Sequence, residues 1–179
     1  MTDSNTDNAA VSIWPTVWKF SLILAGCTFA FALVRYFTGT AGSTGMGLLG
    51  LVITIVVLVI ALRKYRSLNG GYMSFGAATL AAFMINFLSS VIASTLNAVY
   101  VGFIDKTILT TLSDQTLTQL QQTPGMSKQM LDMMSGFYKN FLFTPGGMFV
   151  IGCVGGLIGG IILALILAAI LKKTPPISG

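Results

Sequence analysis

The chain has 179 residues, of which 54% are apolar and only 8% charged, with a formal net charge of +5 and a mean hydropathy of +0.84. That composition excludes an ordinary soluble domain. The absence of His and the small stock of carboxylates (Asp3, Asp7, Asp105, Asp114 and Asp132) leave no catalytic, haem or zinc-ligand constellation, so neither an enzyme nor a cofactor is expected. The basic residues are spread over helix ends and form no basic face, which points to membrane orientation and not to nucleic acid.

Residues 1–16 read as a polar leader. The first apolar stretch, about 17–38, is long enough to cross roughly 30 Å of hydrocarbon as a helix. Leu24-Ala25-Gly26-Cys27 matches a lipoprotein cleavage box, but the apolar run continues past Cys27 to Val34 and only seven residues separate it from Lys19. An uncleaved first helix is the expectation. Trp14 and Trp18 at one end and Tyr36 at the other suit interfacial anchoring.

The second span, about 46–63, holds twelve Leu, Ile or Val residues between Leu48 and Leu62. Their apolar contributions give an apparent insertion energy of about −4 to −7 kcal/mol, so this helix can face lipid all round. Arg63, Lys64 and Arg66 follow it, a small cluster that could hold an anionic lipid headgroup.

The third span, about 74–103, would reach about 45 Å as a helix and should tilt or project from the membrane. Asn86, Ser90, Ser94 and Asn97 interrupt it at spacings that place them on one face, with Ser89 beside them. Such a face either supplies interhelical hydrogen bonds or lines a path for a small solute or ion. The absence of a charge at mid-membrane favours hydrogen bonding.

Residues 105–145 read as an outer hairpin of two amphipathic helices broken at Thr123-Pro124-Gly125. In the first, Ile104, Ile108 and Leu112 stack; in the second, Met126, Met130, Met133, Phe137 and Phe141 make an apolar stripe, and Ser127 is suited to cap it. Four of the nine methionines fall between residues 126 and 134; flexible thioethers suit a surface that adapts to a partner or to lipid, and the alternative is that the two helices bury these stripes on each other and on the membrane surface. Arg35 and Asp105 should lie near the same membrane boundary, where an ion pair between them would offset their desolvation; the alternative is that each reaches separately for headgroups or water.

The fourth span, about 147–171, carries Gly152, Gly156, Gly160, Ala164 and Ala168 at intervals of four. This small-residue ridge lets another helix approach closely, whether from the same chain or from a partner. Cys27 and Cys153 both fall inside spans and read as buried structural thiols. Residues 174–179 form a tail.

The run from Arg63 to Gly76 (Arg-Lys-Tyr-Arg-Ser-Leu-Asn-Gly-Gly-Tyr-Met-Ser-Phe-Gly), with Phe103-Ile-Asp105, Pro124-Gly-Met-Ser127 and Leu171-Lys-Lys173, resembles domain of unknown function family 4199, bacterial four-helix inner-membrane proteins. The resemblance covers nearly the whole chain after the leader. It implies four spans with a large hairpin between the third and fourth, and it brings no activity, cofactor or substrate.

The expected protein is therefore an all-α, multi-pass membrane protein with four transmembrane helices and an extramembrane helical hairpin. Lys19, Arg63, Lys64, Arg66, Lys172 and Lys173 outnumber Arg35, Lys106, Lys128 and Lys139 on the other side, which puts both termini in the cytoplasm of a bacterial inner-membrane protein. The favoured role is an accessory or scaffolding subunit that meets the lipid bilayer and a membrane-protein partner, or a second copy of itself, through the glycine ridge and the hairpin. A small transporter or channel using the polar face is the alternative.

Overall fold

A computed structural model describes residues 12–122, 125 and 127–173. Among them there is no β-strand, and four helices are long and apolar enough to span a membrane: α1 (Trp14–Phe37), α2 (Thr44–Leu68), α3 (Phe75–Val99, continued by a π-helical turn over Tyr100–Ile104) and α6 (Pro145–Leu171). Two shorter helices, α4 (Thr107–Gln121) and α5 (Lys128–Phe137), lie between α3 and α6, and a second π-helical turn, Tyr138–Leu142, follows α5. The protein is thus an all-helical membrane protein.

Local chemistry sets the helix ends. Ser74 accepts from the amide of Ala77, Ser127 from Met130 and Thr144 from Gly147, so each hydroxyl satisfies one of the amides that a helix start leaves open. Ser127 thereby fills the capping role its position suggests. Pro145 occupies the first turn of α6, where its missing amide costs nothing. At Gly70 and Gly71, φ is +65° and +85°, a left-handed pair that reverses the chain between α2 and α3.

The bundle is built around α3, which packs against α6 and α1 and touches α2, while α2 and α6 barely meet. Burial is lopsided along the helix axes. In α1 the buried side chains are Thr16, Val17, Ser21, Leu24 and Ala25, in its first half; in α2 they are Leu58, Ala61, Leu62 and Tyr65, in its second. Those ends gather with the start of α3 and the end of α6 into one apolar cluster that includes Met73, Ile85 and Leu167. The other half of the bundle is looser, and the first half of α2 leaves Leu48, Leu49 and Val52 exposed, as a lipid-facing helix should.

The closed end is also tied through backbone and charge. Met73 and Lys173 exchange two main-chain hydrogen bonds, 2.8 and 2.9 Å, which fix the α2–α3 loop to the end of α6. Arg66 donates to the carbonyl of Leu171 at 3.4 Å, in the last turn of α6, where a cation also complements the helix dipole. Lys172 lies over the ring of Phe75 and Lys173 over that of Tyr72, each 5.9 Å from the centroid.

The two shorter helices, α4 and α5, touch one another sparingly. Thr123, Pro124 and Met126, with which the break and the methionine stripe were to begin, lie outside the described residues, as do residues 1–11 of the leader and the tail 174–179.

Candidate functional site

The polar face of α3 and the small-residue ridge of α6 form one seam. A side chain added at Gly152 would run into the hydroxyl of Ser94, one at Gly156 into Ser90, and one at Gly160 would come within 2.9 Å of the Asn86 amide nitrogen. The three pairs share one antiparallel register, which continues through Ala164 level with Ala82 and Ala168 level with Ala78, all fully buried. It ends at the Met73–Lys173 backbone pair.

Asn86 donates its amide to the carbonyl of Gly156 at 3.0 Å, a bond that only a close backbone approach permits. Ser90 turns its hydroxyl back to the carbonyl of Phe87 at 2.8 Å, so its hydrogen bond is local and its Cβ face packs against Gly156. The ridge is therefore filled from within the chain. Of the two uses open to Gly152, Gly156, Gly160 and Ala164, packing within the chain or a partner interface, these contacts are packing against α3.

Asn97 belongs to a different contact. Its amide donates to Ala93 within α3, and its oxygen accepts from the hydroxyl of Tyr36 at 3.3 Å, joining α3 to α1. Ser21 of α1 donates to the carbonyl of Ile85 at 3.3 Å on the other side of the bundle's middle. Together these bonds make α3 the helix to which α1 and α6 are both fastened.

Beside the seam lies a cleft of about 300 Å³ walled by all four spanning helices. Asn86, Ser89, Ser94 and Asn97 of α3 contribute polar groups, Thr28 of α1 and Thr54 of α2 add hydroxyls, and Leu24, Leu51 and Leu163 give it apolar walls. Gly155 and Gly159, the ridge's neighbours on α6, line it as well, and nothing lies within 4 Å of a side chain added at either. None of the lining residues is charged.

Arg35 and Asp105 do not pair. The Arg35 guanidinium donates to the carbonyl of Ala41 in the α1–α2 loop, and its Nε is buried without a partner among the described residues. Asp105 accepts from the amide of Thr107 at 3.0 Å and from its hydroxyl, closing the turn into α4. Each charge has found a nearby backbone group, which costs less side-chain ordering than bridging two helices.

The basic cluster is divided. Arg63 and Lys64 are exposed on the last turns of α2, whereas Arg66 is spent on the α6 terminus. Among the hairpin residues, Met130 is 49% exposed, Met133 70% and Phe137 56%, so the described part of the α5 stripe is uncovered by the rest of the chain. Phe137 packs against Phe141 with ring centroids 5.4 Å apart and the rings tilted by 32°, which extends the stripe into the π-helical turn. Cys27 is exposed and Cys153 partly so; both are free thiols. The burial expected of Cys27 thus gives way to an outward-facing position on α1.

Sequence reasoning missed the backbone clasp between Met73 and Lys173. It also missed that Ala78 and Ala82 extend the α3 face, at the same four-residue step as Asn86, Ser90 and Ser94. That periodicity was the available signal for the seam.

The segments that clasp, the Arg63 to Gly76 run and Leu171-Lys172-Lys173, are those that carry the resemblance, and the match extends over residues 19–173. The chain belongs to the family described as protein of unknown function DUF4199. None of the curated proteins and none of the solved structures compared with this DUF4199 protein matches it.

Proposed function

We propose that this DUF4199 protein is an accessory or scaffolding subunit of a larger membrane assembly, without catalytic activity of its own. The supporting observation is the uncovered stripe of α5, where Met130, Met133 and Phe137 present large apolar side chains while the small-residue ridge is used internally. Contiguous exposed apolar side chains at the end of a packed bundle suit an adaptable protein contact. α4 and α5 form the extramembrane hairpin in this reading.

The protein sits in a bacterial inner membrane with both termini cytoplasmic. Gathering Arg63, Lys64, Arg66, Lys172 and Lys173 at the closed end of the bundle supports that orientation, since basic residues are retained on the cytoplasmic side. Native purification in mild detergent tests the role. A stoichiometric partner that is lost from Met133→Asp/Phe137→Asp supports it, and a protein that purifies alone or only with itself contradicts it.

A small transporter is the second reading, and the uncharged cleft between the four spans favours it. It requires solute or ion flux from the reconstituted protein by itself, reduced by Asn86→Leu or Asn97→Leu.

A further inference from the structure

Ser89 is 3% exposed and stands midway along the Phe75–Ile104 span, yet its hydroxyl has no hydrogen-bond partner among the described residues. Other hydroxyls at similar depth are satisfied by their own helices: Thr28 donates to the carbonyl of Leu24, Thr54 to that of Gly50 and Ser90 to that of Phe87. The Ser89 hydroxyl is not sealed by packing, so a partner can still reach it, and a hydroxyl at this depth in a native span normally has one. Ser89 lines the cleft, and so does Ser94, whose hydroxyl is likewise without a partner among the described residues. Asn86, whose side-chain oxygen is left over once its amide has bonded to Gly156, is a third polar residue lining the same space.

The cleft's chemistry narrows what can enter. A volume of about 300 Å³ is at the lower end of ligand sites, and a few convergent polar groups on mostly apolar walls are their usual composition. No lining residue is charged, so a phosphate or ammonium group would be desolvated there without a counter-ion. Between α2 and α6, which barely touch, the wall is lowered by Gly155 and Gly159. Lipid can therefore reach the cleft from the side. The depth of Ser89 matters too: a phospholipid's charged headgroup holds its ester oxygens near the surface, whereas an uncharged glycerolipid can bring hydroxyl and ester oxygens further in.

We propose that this cleft binds an uncharged glycerolipid of the diacylglycerol type, admitted between α2 and α6, with its hydroxyl and ester oxygens on Ser89, Ser94 and Asn86. Ser89 and Ser94 donate to the ester carbonyls, and the Asn86 oxygen accepts from the free hydroxyl. Leu24, Leu51 and Leu163 hold the upper acyl carbons. This site is independent of the α5 stripe, so its fate does not depend on the partner reading.

The test uses the full chain in phosphatidylcholine nanodiscs carrying a trace of diacylglycerol with a diazirine near its glycerol, and in parallel phosphatidylcholine with the same diazirine. The diacylglycerol probe should label peptides of α3 and α6 that line the cleft well above the phosphatidylcholine probe. Gly155→Leu/Gly159→Leu, which fills the entrance where no atom stands, should reduce that labelling to the phosphatidylcholine level with no loss of thermal stability. Ser89→Ala, which changes no bulk, should lower it about fivefold, the size of one lost hydrogen bond. Should the glycine variant fail to fold, Ser89→Ala decides alone. Equal labelling by both probes, labelling that either folded variant leaves unchanged, or a cleft that takes up only water overturns the proposal.

Discussion

The side-chain amide of Asn86 lies 3.0 Å from the main-chain carbonyl of Gly156, and this contact joins two features that read as separate in the sequence. The polar stripe of α3 and the glycine ridge of α6 are complementary halves of one interface. Glycine supplies the close approach, and the amide fixes the register that van der Waals contact between smooth helices leaves free.

Asn86→Ala should therefore destabilise the protein by about 0.6–2 kcal/mol, the range for interhelical polar contacts in membranes. Reversible unfolding in mixed micelles checks it. Asn97→Ala severs the tie to Tyr36 of α1 instead, so its effect should add to that of Asn86→Ala.

Two adjacent glycines should respond in opposite ways. Gly156→Ala puts a methyl against Ser90 and should cost about 1–3 kcal/mol by overpacking. Gly155→Ala meets open space, and the gain in helix propensity should leave it neutral or stabilised by up to about 1 kcal/mol. The same unfolding assay separates them.

Arg35 and Asp105 should behave as independent sites. A double-mutant cycle of Arg35→Ala and Asp105→Ala is expected to give a coupling within about 0.5 kcal/mol of zero. Asp105→Ala alone should cost about 0.5–2 kcal/mol through the lost turn into α4, and Asp105→Asn, which retains an acceptor oxygen, less.

The reversal between α2 and α3 depends on a backbone state that a side chain resists. Gly71→Ala, at φ +85°, should cost about 1–2 kcal/mol, seen as a lowered midpoint of thermal unfolding in detergent.

Much of the fold was legible because lipid imposes length and hydropathy on each span. The third span, read as 74–103, is helical over Phe75–Ile104, and the fourth, read as 147–171, over Pro145–Leu171. The second runs on to Leu68, because Tyr65 is buried in the closed end and extends the helix beyond the apolar run that marked its limit. What the sequence could not reveal is pairing. Gly156 and Ser90 each advertise a packing face, but periodicity on one helix does not name the face opposite, and a ridge turned inward looks the same as one offered to a partner. The Arg35–Asp105 question stayed open for a related reason: carbonyls such as that of Ala41 compete for a guanidinium and leave no trace in side-chain patterns. The cleft lies where four helices meet and α2 barely touches α6, a tertiary property with no sequence signature.

The most direct test of the internal seam is rescue of Gly156→Ala by Ser90→Gly. Removing the Ser90 side chain clears the volume that the new methyl needs. The double variant, unfolded in mixed micelles, should recover most of the stability lost in Gly156→Ala, beyond what Ser90→Gly itself costs as a helix glycine. If the two losses simply add, Gly156 does not face Ser90 and the ridge of α6 is free for another surface.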